Sequence, residues 1–132
     1  MEKPNVLVVD DSPELLEMFA FSLALAGFEV RQAADGLKAL DSINERKPDV
    51  VITDLMMPEM DGLTLIKQLR TTAALADLPI LVLSAGSEVY LDEAQLAGAT
   101  KVIPKPIDPA VLWDEVWQLL PEGTRKHTAD IS

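Results

Sequence analysis

The chain has 132 residues, 48% of them hydrophobic, so it is long enough to bury one core and too short for two domains of ordinary size. Its 22 acidic and 11 basic residues give a net charge of −11, which argues against nucleic-acid binding, because such binding depends on basic side chains that neutralise phosphates. Cysteine is absent, which excludes disulfides, thiolate metal sites and a cysteine nucleophile.

Short runs rich in valine and isoleucine alternate along the chain with segments whose apolar residues recur at helical spacing. In chain order the pattern predicts a strand over 6–9, a helix over 13–26, a strand over 28–33, a helix after Asp35, a strand over 50–53, a helix over 63–69, a strand over 80–83, a helix over 88–97, a strand over 102–103 and a helix over 109–120. Ser12 and Asp35 are typical helix N-caps, and Gly27 and Gly98 favour helix ends. Five strands alternating with five helices predict an α/β fold, a doubly wound five-stranded parallel sheet with five flanking helices.

This alternating pattern places the domain over residues 4–120, and residues 121–132 are expected to be a polar tail or the start of a linker. The apolar stretch over 18–28 is far shorter than the roughly 20 residues of a membrane span. The first residues lack the basic and then apolar pattern of an export signal. We therefore expect a cytoplasmic protein that does not associate with membranes.

Polar residues stand at or just beyond the ends of four predicted strands. They are Asp10 and Asp11 after the first strand, Asp54 after the third, Ser84 after the fourth and Lys105 just beyond the fifth. Because parallel strands end at a common edge, where such sheets bind ligands, we expect these side chains to cluster. Three carboxylates and one ammonium sum to −2, which one divalent cation would balance. Oxygen ligands favour Mg²⁺, and His127 stands alone in the polar tail as a poor ligand candidate.

Each of these residues also has an ordinary structural interpretation when it is taken alone. Asp10 and Asp11 could favour the start of the following helix through its dipole, and Asp54 could be a solvated loop acid. Ser84 could be a plain strand end, and Lys105 a surface lysine. The coincidence of all of them at one sheet edge favours a functional site.

The order Asp-Asp, Asp, Ser and Lys at successive strand ends resembles the receiver domain of two-component response regulators, which has a CheY-like, flavodoxin-like fold. The resemblance covers residues 4–120, and its most specific segment, 54–62, reads DLMMPEMDG and is similar to that family's phosphorylation loop. Four further segments fall at the expected places: Asp10-Asp11-Ser12, Ser84-Ala85, Gly98-Ala99 and Lys105-Pro106.

The resemblance implies a phosphoryl-transfer reaction at Asp54. The donor would be a phosphohistidine of a sensor histidine kinase or a histidine phosphotransfer protein. Ser84 would donate a hydrogen bond to the phosphoryl group, and Lys105 would bind that group through its charge. Lys105-Pro106 is similar to the family's cis-peptide position. The domain would catalyse only its own phosphorylation and dephosphorylation and would not otherwise be an enzyme.

The resemblance also implies a Mg²⁺ site with four protein residues. Asp11 and Asp54 would bind the ion directly, and Asp10 would act mainly through a metal-bound water. The backbone carbonyl of Met56 would complete the protein ligands, whereas its side chain would not take part.

The resemblance implies that phosphorylation switches a protein-interaction face that a downstream protein or an output domain reads. Many receivers carry a tyrosine or phenylalanine three residues before the lysine, where this chain has Val102, so the output step stays open. Trp113 and Trp117 lie four residues apart on the last helix. They could pack at the core margin, or they could contact a partner or form a homodimer through that helix.

Two other classes of function stay open. The chain could be a pseudo-receiver, a constitutive interaction module without phosphotransfer, which Val102 favours and the intact acidic and basic residues oppose. It could also be a flavodoxin-like cofactor binder or a nucleotide hydrolase. The sequence contains neither G-x-x-x-x-G-K nor G-x-G-x-x-G, so no glycine-rich phosphate loop supports that class.

Overall fold

Five parallel strands form the central sheet of the structure, a computed structural model that describes residues 3–55, 61–84 and 88–120. They are β1 Asn5–Val9, β2 Glu29–Ala33, β3 Val50–Thr53, β4 Ile80–Ser84 and β5 Lys101–Pro104. Their order across the sheet is β2-β1-β3-β4-β5, and every neighbouring pair is parallel. The chain therefore winds outward in both directions from β1 and β3, and the predicted doubly wound sheet is confirmed.

Five α-helices connect or follow the strands within those ranges. They are α1 Pro13–Leu25, α2 Gly36–Glu45, α3 Gly62–Thr71, α4 Glu88–Ala97 and α5 Pro109–Leu119. The predicted caps are confirmed, since Ser12 Oγ accepts from Leu15 N at 3.3 Å and Asp35 Oδ1 accepts from Lys38 N at 2.8 Å. Gly27 and Gly98, where α1 and α4 were predicted to end, have φ values of +102° and +120°, a region that favours glycine. A short 3₁₀ turn over Ala73–Leu75 was not predicted.

The helices cover the sheet on both faces and create two hydrophobic cores. Residues of α1 and α5 pack on one face, and residues of α2, α3 and α4 pack on the other. Strand side chains alternate between the cores: Val51 lies in the core under α2 to α4, whereas Val50 and Ile52 lie in the core under α1 and α5. Because both faces are covered, the inner strands β1, β3 and β4 are almost entirely apolar, as the sequence pattern indicated. The edge strands β2 and β5 are less buried and also carry charged residues, such as Arg31 and Lys101.

The two tryptophans of α5 are half-buried and pack against the core that α5 shares with α1. The ring centroids of Trp117 and Phe28 lie 4.3 Å apart. Packing at the core margin is therefore confirmed, and a homodimer through α5 stays a prediction. Among the described residues, no helix is both long and apolar enough to cross a membrane.

Candidate functional site

The carboxyl ends of β1 and β3 bring three carboxylates together. The two strands are neighbours with Val9 opposite Thr53, and Asp54 N donates to Val9 O at 3.0 Å. The residues that follow these strands therefore lie side by side. One carboxylate oxygen from each of Asp10, Asp11 and Asp54 lies within 4.8 Å of the others, so the predicted cluster of acids forms.

The two neighbouring acids of the cluster differ in their surroundings. Asp10 is only 3% exposed; its Oδ1 accepts from Ser12 N at 2.9 Å, and its Oδ2 accepts from Lys105 Nζ at 3.0 Å. Asp11 is exposed. The protein thus already holds both oxygens of Asp10, while Asp11 stands open to a ligand from solvent.

Lys105 enters the same cluster from the far edge of the sheet. The residue follows β5, and its Nζ donates to Asp10 Oδ2 at 3.0 Å and to Asp54 Oδ2 at 3.2 Å. The Lys105-Pro106 peptide is cis, as the resemblance implied. The lysine that the sequence placed beyond the last strand therefore meets acids that lie 51 and 95 positions away.

Burial and charge act on Lys105 in opposite directions. Burial lowers the pKa of the ammonium, but the hydrogen bonds and negative charges of Asp10 and Asp54 outweigh it, and the pKa is raised above its usual value. Lys105 therefore stays protonated at neutral pH, and the cluster of three carboxylates and one ammonium carries −2.

The carboxylate of Asp54 is oriented from two sides. Its Oδ1 accepts from Leu55 N at 2.7 Å, and its Oδ2 faces Lys105. Thr53, which was not among the predicted site residues, also contacts Asp54: its Oγ1 donates to the backbone oxygen of Asp54 at 2.8 Å. The available signal was a single hydroxyl at the end of an otherwise apolar strand.

Some predicted site residues are not placed together with this cluster. Met56 and its backbone carbonyl lie outside the described residues, as does His127. Ser84 ends β4 opposite Pro104, but its side chain is also outside the described set. Val102 lies in β5, is half-buried, and packs against the core under α2 to α4. The described site therefore consists of Asp10, Asp11, Asp54 and Lys105.

Comparison with known protein families gives a match over most of the chain. A family model described as "Response regulator receiver domain" matches residues 6–116. Response regulator MprA of Mycobacterium sp. (strain KMS) is 47% identical over 103 residues, which cover 77% of this chain and 44% of that protein. The DNA-binding dual master transcriptional regulator RpaA of a Synechocystis strain is 34% identical over 119 residues, covering 89% of this chain and 49% of that protein. The chain thus spans about half the length of the curated relatives it matches.

Solved structures agree with the sequence relatives. A putative response regulator from Chloroflexus aurantiacus superposes with a TM-score of 0.86 at 37% identity, covering 89% of this chain and 98% of that one. Chemotaxis response regulator CheY4 of Vibrio cholerae superposes with a TM-score of 0.84 at 35% identity, covering 90% of this chain and all of that one. The family match, these relatives and the fold agree, and the chain belongs to the response regulator receiver domain family.

Proposed function

We propose that this receiver domain accepts a phosphoryl group on Asp54 in a Mg²⁺-dependent reaction and thereby switches a protein-interaction face. The observation that carries the proposal is the convergence of Asp10, Asp11 and Asp54 within 4.8 Å beside the Lys105 ammonium. The donor would be a phosphohistidine of a sensor histidine kinase or of a histidine phosphotransfer protein.

The residues of the cluster suit a displacement at phosphorus. A carboxylate is already ionised at neutral pH, so an aspartate nucleophile needs alignment and charge cancellation rather than a general base. An Asp54 oxygen forms a bond to phosphorus as the phosphorus–nitrogen bond of the donor breaks, and the electron pair of that bond stays with the imidazole. Lys105, whose Nζ lies 3.2 Å from Asp54 Oδ2, would pair with the oxygens of the transferred group.

The donor set fits a Mg²⁺ ion. Asp11 and Asp54 would hold it directly, Asp10 would support it through water, and the backbone carbonyl of Met56 would complete the set. When bound, the ion supplies charge neutralisation and orients phosphoryl oxygens. After transfer, Asp10 and Asp11 contribute −2, the phosphoryl group about −2, the ion +2 and Lys105 +1, which leaves about −1. Without Lys105 the site would be left at about −2, so the lysine stabilises the phosphorylated form.

The partners follow from this reaction. The domain would receive its phosphoryl group from a histidine-bearing protein and pass the signal to a downstream protein or an output domain in the cytoplasm. It would act on no other substrate and would catalyse only its own phosphorylation and dephosphorylation. RpaA is named as DNA-binding, but the net charge of −11 argues that any such output belongs to a different domain.

A phosphodonor experiment separates this proposal from the alternative of a pseudo-receiver, which Val102 favours. The chain is incubated with acetyl phosphate and Mg²⁺, and its intact mass is measured. We expect wild type to gain one phosphoryl group, Asp54→Ala to gain none, and Asp41→Ala, which removes an exposed carboxylate on α2, to match wild type. An unmodified wild type, or an adduct that survives in Asp54→Ala, would reject phosphorylation at Asp54.

Mg²⁺ affinity should respond in opposite directions to two substitutions in the cluster. Asp11→Ala removes a ligand and one negative charge, and Lys105→Met removes a positive charge that competes with the ion. Since one unit charge about 4 Å away contributes a few kcal/mol at an effective dielectric near 20, we expect at least roughly tenfold weaker binding in the first variant and roughly tenfold tighter binding in the second. Isothermal titration measures both.

The control for this titration is Lys67→Met, which removes an exposed lysine from α3. It should leave the affinity within about twofold of wild type, because exposed charges are well screened by salt. Unchanged affinity in Asp11→Ala would reject its assignment as a ligand. Weaker binding in Lys105→Met would show that the lysine organises the acids rather than competing with the ion.

A further inference from the structure

We propose that Thr53 is a positioning residue for phosphorylation: through one peptide group it holds the carboxylate of Asp54 in the orientation needed for attack. The inference rests on the proposed function of Asp54 as phosphoryl acceptor. Thr53 is the last residue of the otherwise apolar strand β3.

The hydroxyl of Thr53 is buried on an apolar face of the sheet. Thr53 is 1% exposed, strand alternation places it on the same face as Val51, and it lies opposite Val9; both valines belong to the apolar core under α2 to α4. A valine would have nearly the same shape there. A buried hydroxyl must find an acceptor, and this one donates to the backbone oxygen of Asp54 at 2.8 Å.

Four buried polar or charged residues occur in the described part of the chain, and three have other roles. Asn5 accepts from Arg31 Nε at 3.0 Å, Asp10 binds Lys105, and Asp35 caps α2. Thr53 is the fourth, and the hydrogen bond of its side chain goes to the proposed phosphoryl acceptor.

The hydroxyl acts on the carboxylate through a rigid unit. The carbonyl of Asp54 and the N–H of Leu55 belong to one planar peptide group. Thr53 holds the carbonyl end of that group, and the N–H end donates to Asp54 Oδ1 at 2.7 Å. A tilt of the peptide plane would therefore move the donor that orients the carboxylate.

Gly62 lies close to the carbonyl of the same peptide and is hydrogen-bonded to the carbonyl of the next one. Its backbone N–H donates to Leu55 O at 2.8 Å, and a Cβ on Gly62 would lie only 2.2 Å from Asp54 O. The carbonyl is thus hydrogen-bonded to Thr53 and in close contact with Gly62. Two independent neighbours hold the peptide that orients Asp54.

The expected effect of these contacts is to align the Asp54 carboxylate with the incoming phosphoryl donor. With Oδ1 on the Leu55 N–H and Oδ2 towards Lys105, the carboxylate plane is set before the donor arrives. In-line displacement depends strongly on such alignment. Loss of the hydroxyl would leave every charge of the site in place but would let the peptide tilt, so transfer would slow while donor binding would stay the same.

The test uses the full chain with Thr53→Val, Thr53→Ser and the control Val51→Ala. The adduct rate is measured by intact mass against acetyl phosphate concentration at saturating Mg²⁺, and the Leu55 amide is followed by NMR hydrogen exchange. We expect Thr53→Val to lower the maximal rate roughly tenfold without changing the half-saturating donor concentration, and to speed exchange at Leu55. Thr53→Ser should restore both values towards wild type. Val51→Ala should lower stability but keep the wild-type rate and Leu55 exchange.

The outcomes separate this inference from the proposed function. A wild type that forms no adduct overturns the function of Asp54, and the role of Thr53 falls with it. With a wild-type adduct, a Thr53→Val rate equal to wild type overturns the inference alone. Equal slowing by Thr53→Ser or by Val51→Ala would assign the effect to packing rather than the hydroxyl, and slowing without a change at Leu55 would reject the peptide route.

Discussion

Replacing Gly62 with alanine is expected to lower the free energy of unfolding by about 3 kcal/mol, the upper part of the range for overpacking a tightly packed site. The added Cβ would lie 2.2 Å from Asp54 O and 2.7 Å from Leu55 Cα. Both are backbone atoms, so neither can rotate away as the end of a long side chain could. The main chain that carries the site would have to move.

Backbone conformation alone would predict the opposite sign. Gly62 is the first residue of α3, after the N-cap Asp61, and alanine is favoured over glycine in a helix by about 1 kcal/mol. A loss of stability would therefore report the close contact with Asp54. Because the contacted carbonyl is the one that Thr53 binds, we also expect slower formation of the Asp54 adduct.

Urea unfolding measures the stability change. The control is Thr64→Ala, which alters an exposed residue of the same helix and should stay within about 0.5 kcal/mol of wild type. If the Gly62→Ala variant kept the wild-type midpoint, the backbone of Asp54 and Leu55 would be able to move away from the added methyl group at little cost. The close contact between Gly62 and Asp54 would then not constrain the backbone of the site.

Arg70→Met is expected to lower the free energy of unfolding by about 3 kcal/mol. Hydrogen bonds from a charged group contribute about 1.5–3 kcal/mol each, but their contributions do not add fully. The guanidinium donates to Gly98 O at 2.9 Å, Leu78 O at 2.7 Å and Ala76 O at 3.1 Å. It also reaches Leu75 O at 3.2 Å. Methionine would keep most of the aliphatic stem but remove the hydrogen bonds to all four carbonyls, of which Leu75 O would keep its bond from Leu78 N at 3.1 Å.

The guanidinium of Arg70 connects the end of α3 to the residue that follows α4, Gly98. A Cβ on Gly98 would lie 2.7 Å from Arg70 Cγ, so the glycine and the arginine fit each other closely. Lysine carries the same charge on one compact ammonium group instead of a planar fork of donors. Arg70→Lys should therefore be more stable than Arg70→Met but less stable than wild type. The control is Lys67→Met, at an exposed position of the same helix, which should leave the free energy of unfolding in urea nearly unchanged. If Arg70→Met were equally neutral, water would be replacing the arginine at these carbonyls.

The site residues that could be predicted from the sequence are those that stand at or just beyond the ends of strands. Asp10 and Asp54 close apolar runs, and parallel strands must end at one edge, so their proximity followed from hydrophobic pattern and topology. Lys105 followed from the same rule, although four strands separate it in sequence from Asp10. The caps at Ser12 and Asp35 were equally readable, because a cap contacts residues only two or three positions away.

The contacts that orient these groups could not be predicted from the sequence. Nothing in the apolar run ending at Thr53 shows that its hydroxyl turns to the next carbonyl, since the alternation of a strand specifies a face and not a partner. The contact of Gly62 with Asp54 O joins the first residue of α3 to the residue that follows β3, which no helix or strand pattern specifies. The contact of Arg70 with Gly98 spans 28 positions and two elements.

The α/β class could be predicted without a structure, as could the five strands and helices and the residues at the carboxyl edge of the sheet, because periodicity, caps and strand ends are local properties of the chain. The folded chain was needed to establish the strand order β2-β1-β3-β4-β5, the pairing of Lys105 with Asp10 and Asp54, and the contacts of Thr53 and Gly62 with the Asp54 peptide. Those features are distances of a few ångströms between groups on different elements. Such distances are set by how the sheet and helices pack together, which no local pattern contains.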